Sequence, residues 1–207
     1  MELKIINTET LRYPMTPYDV VMEVRPTRGG ITLPNEVYMP EGYSFVMEVE
    51  PPECNDETHK VVEGVPEFVD GNWQQVFSVV ARSPQEIAER LEAAKLAKNN
   101  QINAWRLEAN RGTFEHGGAV FACDELSRSD IDGITSFVGL YGAMPPGWPG
   151  AWKAKDNSFF PITTVADWKA FVASMVAQGN ANFAKAQALK VQLAAATTRE
   201  QLDSIIW

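Results

Sequence analysis

Cysteine and histidine are scarce in this chain: Cys54, Cys123, His59 and His116 are its whole supply. Two cysteines cannot make a disulfide framework, so the fold must close on apolar cores alone. Cys54 with His59 and His116 with Cys123 could together offer four zinc ligands, but their separations match none of the common zinc pairs. Each thiol reads instead as a small apolar packing group, and each histidine as an ordinary polar contact. No third group stands beside Cys123 and His116 to activate a nucleophile. The expectation is that the protein holds no metal and no cofactor.

Long apolar runs are also missing. None approaches the roughly 20 residues of a bilayer-spanning helix, and Met1-Glu2-Leu3-Lys4-Ile5-Ile6 lacks the basic-then-apolar pattern of a secretory signal. No membrane insertion and synthesis in a reducing cytoplasm are therefore expected. Positive charge is short as well: 18 Lys and Arg stand against 27 Asp and Glu, for a net charge of −9. The deficit is uneven, since residues 1–82 carry 14 acidic and 6 basic side chains, and the remainder 13 and 12. Phosphate contacts need clustered cations, so nucleic acid is not an expected partner.

Catalytic patterns are absent too. Glu48, Glu50, Glu53, Asp56 and Glu57 lack the alternating oxygen ligands and pivot glycine of a calcium loop, and read as a solvated acidic loop. No glycine-rich stretch is followed by the Lys-Ser or Lys-Thr pair of a phosphate loop. Opposed carboxylates could hydrolyse glycans, but nothing in the spacing locates such a pair and no substrate-groove repeat is present. The chain reads as a non-enzyme.

What is present is an ordinary globular composition, 45% hydrophobic and 22% charged over 207 residues, enough for two small domains. Glu2–Ile6 predicts a short strand. Thr16-Pro17-Tyr18-Asp19 predicts a capped helix to about Val24, with a strand as the alternative because Val20, Val21, Met22 and Val24 suit either; Pro26 and Gly29-Gly30 end it. Tyr43–Val49 alternates as a half-buried strand does and stops at Pro51-Pro52. Lys60–Val62, Val65–Val69 and Trp73–Val80 predict further strands, with Asp70-Gly71 supplying the positive φ of a tight hairpin.

Ser83-Pro84-Gln85-Glu86 is a strong helix start. The stripe Ile87, Leu91, Ala94, Lys98, Ile102, Trp105 and Ala109 carries the helix to about Arg111, with a weak point at Asn99-Asn100. Beyond it, a hairpin is predicted around Gly117-Gly118, then a helix capped by Ser127 or Ser129. A second hairpin at Asp156-Asn157, a long helix opened by Thr164-Val165-Ala166-Asp167, and a short one opened by Thr198-Arg199-Glu200-Gln201 complete the reading. The fold class expected is α+β: an N-terminal α+β attachment domain (1–82), a connecting amphipathic helix (83–111), and a C-terminal α+β domain with short hairpins and a long helix (112–207).

The segment VVEGVPEFVDGNWQQVFSVVARSPQEIAER resembles a junction found in tailed-phage tail fibre and tail accessory proteins, where a glycine-proline strand and a strand opened by Trp73-Gln74 lead into a connecting helix. Tyr13-Pro14-Met15-Thr16-Pro17-Tyr18 and EGYSFVMEVEPPE are similar to the opening of such proteins. Residues 102–207 resemble an uncharacterised domain common at the ends of phage and prophage tail fibre proteins, through INAWRLEA, FEHGGAVF, SRSDIDGI, PITTVADW and AATTREQLDSIIW. The resemblance implies a virion structural protein of the tail, such as a fibre, fibre adaptor or baseplate-associated part. Its partners would be other tail proteins, and its place the virion after synthesis in the host cytoplasm. Similar junctions occur in tail fibre assembly chaperones, which implies the alternative of a factor absent from the mature particle; a cell-surface glycan hydrolase is the second alternative.

Candidate partner contacts follow from composition. Prolines stiffen the loop from Gly142 to Trp152, where Pro145, Pro146 and Pro149 surround Trp148 and Trp152. The two indoles can anchor a partner, or fold back over a small core of their own, which is the favoured reading. Ile102 and Trp105 can pack within the chain or pair copies of the long helix around a three-fold or six-fold axis, as symmetric tail assemblies imply.

Overall fold

The computed structural model describes residues 4–24, 34 and 39–207; the expected stop at Pro26 and Gly29-Gly30 lies outside them. The chain is α+β and divides into two compact units, residues 1–87 and 88–207.

In the first unit, Thr16 settles the choice between helix and strand. Its hydroxyl accepts from the Asp19 amide while the Asp19 carboxylate accepts from the Thr16 amide, a reciprocal cap that opens α1 (Pro17–Val24). Those Thr16 donors also hold the Asp19 carboxyl below its usual range. Strand β1 (Ile5–Asn7) pairs antiparallel with β2 (Tyr43–Met47). Ile5, Met15 and Val20 are buried together under Met39, Tyr43 and Phe45. Strand β4 (Glu67–Val69) turns into β5 (Asn72–Gln74) through Asp70 at φ 49° and Gly71 at φ 85°, the two left-handed positions that a two-residue hairpin needs. Strand β5 also lies parallel to β2, giving a sheet in the order β1-β2-β5-β4.

The expected single strand Trp73–Val80 is two strands in different sheets. After β5 the chain changes partners, and β6 (Phe77–Ala81) pairs with β3 (His59–Glu63) in a separate two-stranded ribbon. Gln75 makes the break: it is buried, its amide N–H bonds Met47, its side-chain oxygen accepts from Val49 N–H, and its side-chain NH₂ donates to Glu63. A polar side chain with these obligations cannot point out of a regular strand.

Glu63 is the hub of this unit. Its carboxylate accepts from Lys4 Nζ (2.6 Å), from Gln75 Nε2 (2.6 Å) and from the Tyr13 hydroxyl. Burial pushes the carboxyl up, but these donors outweigh it, and the group titrates below its ordinary value; Lys4 is raised, chiefly by its bond to Glu63. Both charged forms are therefore favoured by folding. Glu63's contribution is present above the unfolded carboxyl's pKa and is lost as pH falls through its lower folded value. That of Lys4 is present below the unfolded ammonium's pKa and is lost as pH rises through its raised folded value. Chemical denaturation should show the first unit weakening below about pH 4.5, with Glu63→Gln flattening that decline.

Helix α2 (Pro84–Arg111) begins in the first unit and continues into the second. Ser83 and Glu86 cap it reciprocally. The Lys60 ammonium and the Ser83 donors lower the Glu86 carboxyl to about 2. The helix passes through Asn99-Asn100 without interruption.

The second unit holds two apolar clusters. In one, hairpin β7–β8 (Thr113–His116, Ala119–Ala122) and hairpin β9–β10 (Ala151–Lys153, Phe159–Pro161) pack with α3 (Glu125–Tyr141) and the N-terminal half of α4 (Val165–Ala195) around Phe114, Phe121, Ile131, Trp168 and Phe171. In the other, Ile102 of α2 meets Ala186, Leu189 and Leu193 of α4, with Leu202 of α5 (Arg199–Asp203) and Ile205. Asp124, not Ser127 or Ser129, caps α3: its carboxylate accepts from the Ser127 amide at 2.9 Å, because the helix starts one turn earlier than the serines suggest. Gly142 at φ 65° ends it. Thr164 and Thr198 form the expected capping boxes, and α4 runs unbroken through Gly179.

Gly117 explains the tightness of the first hairpin. It sits at φ +57°, and a Cβ there would lie 2.5 Å from the tip of Phe160, whose ring is held by Phe121 and His116. Gly118, at φ +80°, has open space. Gly117→Ala should destabilise the unit by about 1–3 kcal/mol more than Gly118→Ala, read as thermal unfolding midpoints.

Candidate functional site

Reactive side chains are tied to local structure. His116 Nδ1 lies 2.8 Å from Ser174 Oγ, and its ring stands edge-on to Phe160 and Phe171. Ser174 Oγ also lies 3.3 Å from the Ala170 carbonyl and donates to it. Cys123 is buried in the aromatic cluster, and Cys54 is half-buried. Among the described residues no group of three or more His, Cys, Asp or Glu side chains is placed to hold a metal ion. An open depression of about 420 Å³ is lined by Arg111, Glu125, Arg128, Ser129 and Asp132. Its guanidinium at Arg128 is occupied by the carbonyls of Cys123 and Asn110, and Arg111 stands 3.9 Å from Glu125. Mixed charge with its strongest donor already used gives it little hold on an anion.

The expected contact residues fare differently from one another. Trp148 and Trp152 fold back over their own unit: the rings stack at 6.0 Å, both meet Trp168 at 5.5 Å, and Trp148 Nε1 donates to the Ile162 carbonyl at 2.7 Å. Pro145 is half-buried, which leaves Pro146 and Pro149 as the exposed prolines of the loop. Ile102 is fully buried, and Trp105 packs at the margin of the same cluster. From Leu91 to Trp105 the stripe that could have paired copies of α2 packs against α4 and α5, so Ile102 has no surface to offer a partner, while Ile87 at its start is exposed.

Both units expose apolar side chains, Leu126, Leu140, Phe159 and Ile206 among them in the second; in the first unit several lie on strands with an edge unpaired among the described residues. Among the described residues strands β3 and β6 pair only with each other, and Val62 and Val80 are exposed on one face of that ribbon and Val79 on the other. In the neighbouring sheet, edge strand β4 is exposed throughout, with Phe68 62% accessible and touching only the half-buried Trp73 among aromatic rings. A two-stranded ribbon is marginal in water by itself, and apolar side chains on both faces give neither face a solvated role. The signal was present in Val79-Val80: two consecutive valines in a strand put one apolar group on each side, which a half-buried strand does not require.

The chain belongs to the family described as a domain of unknown function, DUF4376, whose model matches residues 93–206. The match spans nearly the whole second unit and leaves the β3–β6 ribbon outside it. No curated protein and no solved structure matches the chain.

Proposed function

We propose that this protein is a non-enzymatic structural component of a phage or prophage tail, acting by docking to other tail proteins. The likeness of residues 61–90 and 102–207 to tail fibre proteins supplies the setting. One structural observation supports the mode of action: the ribbon of the first unit, with exposed valines on both faces, which suits protein contact. The C-terminal unit, whose indoles serve its own core, presents Pro146, Pro149 and the exposed end of α3 at Leu140 and Tyr141. Ile102, being buried, is not among the surfaces this reading assigns to a symmetric assembly.

An exposed apolar ribbon also suits a chaperone that holds fibre chains and leaves before the particle is finished. Mass spectrometry of purified particles separates the two. The structural reading expects the protein at a fixed ratio to other tail proteins; its absence from particles, with abundance in the infected-cell lysate, would favour the chaperone.

A further inference from the structure

The β3–β6 ribbon has more than exposed side chains; it has unused backbone. Arg82 N–H bonds the Thr58 carbonyl and Gly64 N–H bonds the Val76 carbonyl, which fixes 58/82 and 64/76 as hydrogen-bonded pairs in the same register. Antiparallel ladders alternate, so the pairs 60/80 and 62/78 are bonded inward as well. The backbone groups of Phe77, Val79 and Ala81 therefore face away from β3, and no strand among the described residues takes them. This is an open edge, flanked by a valine on each face.

Charge decides what can cover it. Every described Lys and Arg between residues 4 and 82 already stands in an ion pair: Lys4 with Glu63, Arg12 with Glu23, Lys60 with Glu86, and Arg82 with Asp56. Among the described residues Glu48, Glu50, Glu53, Glu57, Glu67 and Asp70 have no ion-pair partner. The described part of the unit thus carries an excess of carboxylates that no described cation pairs. A second copy would bring the same charge to the contact and be repelled, whereas a basic strand would be attracted.

Resting on the docking function above, we propose that the outer edge of β6 binds an extended segment of a partner protein with alternating apolar and Lys or Arg residues, added as a third strand. The added backbone takes up the free groups of Phe77, Val79 and Ala81. Its apolar side chains lie beside the ribbon's valines, and its cations are attracted by the unit's excess negative charge.

The probe is a fluorescein-labelled peptide of alternating lysine and valine, twelve residues long, titrated with the full chain at low salt. It should bind at least ~10-fold tighter than its glutamate-valine counterpart, and methylation of alternate backbone nitrogens should abolish binding. Val79→Pro removes one outward N–H without touching the bonds to β3, and should weaken binding at least ~10-fold, while Val79→Thr keeps it. Amide exchange on the free protein gives a second test that needs no variant: Val79 and Ala81 should exchange faster than Ser78 and Val80. Equal binding of both peptides, unchanged binding by Val79→Pro, or protection of Val79 in the free chain would each overturn strand addition. If the protein is found in particles while these tests fail, only this inference falls. If it is missing from particles yet binds the lysine peptide, strand addition stands and the structural-component reading fails.

Discussion

Trp168→Ala is expected to cost the second unit about 3–5 kcal/mol, a large share of the roughly 5–15 kcal/mol that holds an ordinary domain together. Trp168 is 1% exposed, and its ring meets Trp148, Trp152 and Phe171 at 5.5 Å each. Its indole N–H donates to Thr135 Oγ1, tying α4 to α3. The indoles of the loop from Gly142 to Trp152 both rest on this ring, so removing it should loosen the loop, which keeps the Trp148 bond to the Ile162 carbonyl and the Ile162 N–H bond to the Gly150 carbonyl. Denaturant titration would show the lower midpoint, and near-ultraviolet circular dichroism would show loss of aromatic order. Trp168→Phe should recover part of the loss, since it refills the volume without the hydrogen bond. An unchanged midpoint for Trp168→Ala would mean that the loop's indoles are not seated on the core.

Ile102→Ala is expected to cost about 2–5 kcal/mol. The side chain is fully buried against residues of α4 and α5, and the nearby Lys98 ammonium is held at the margin by the Ile205 carbonyl (3.3 Å). The size of this effect separates two roles for the stripe on α2. A residue held for a partner would leave the midpoint of the isolated chain unchanged and alter only its association; a core residue lowers the midpoint at every protein concentration. Denaturation at two concentrations an order of magnitude apart makes the distinction directly.

Local signals in the sequence carried much of the fold because they act over a few residues. Thr16, Ser83, Thr164 and Thr198 each start a helix through a carboxylate or amide three positions on, and Asp70-Gly71 turns its hairpin by backbone sterics alone. What sequence could not show was partner choice. The run from Trp73 to Val80 has the residues of one strand, and only the distant partners of Gln75, at Met47, Val49 and Glu63, reveal that it serves two sheets. The same limit applied to contact surfaces. Prolines and tryptophans between Gly142 and Trp152 have the composition of an interface, but the shape that swallows the indoles is built by Trp168 and Phe171, which lie on another element. The edge of β6 escaped notice for the opposite reason: its valines look like core, and their lack of cover is a property of the assembled unit.

The placement of the six tryptophans gives each packing region its own optical signature. Trp148, Trp152 and Trp168 form one close trio, Trp105 and Trp207 pack against the helical cluster around Ile102, and Trp73 lies beside Phe68 in the first unit. Replacing all but one set with phenylalanine would let emission from a single region be followed while its neighbours stay dark. The order in which the two units melt, and whether ligand contact at the ribbon is felt near Trp73, could then be watched without an attached dye.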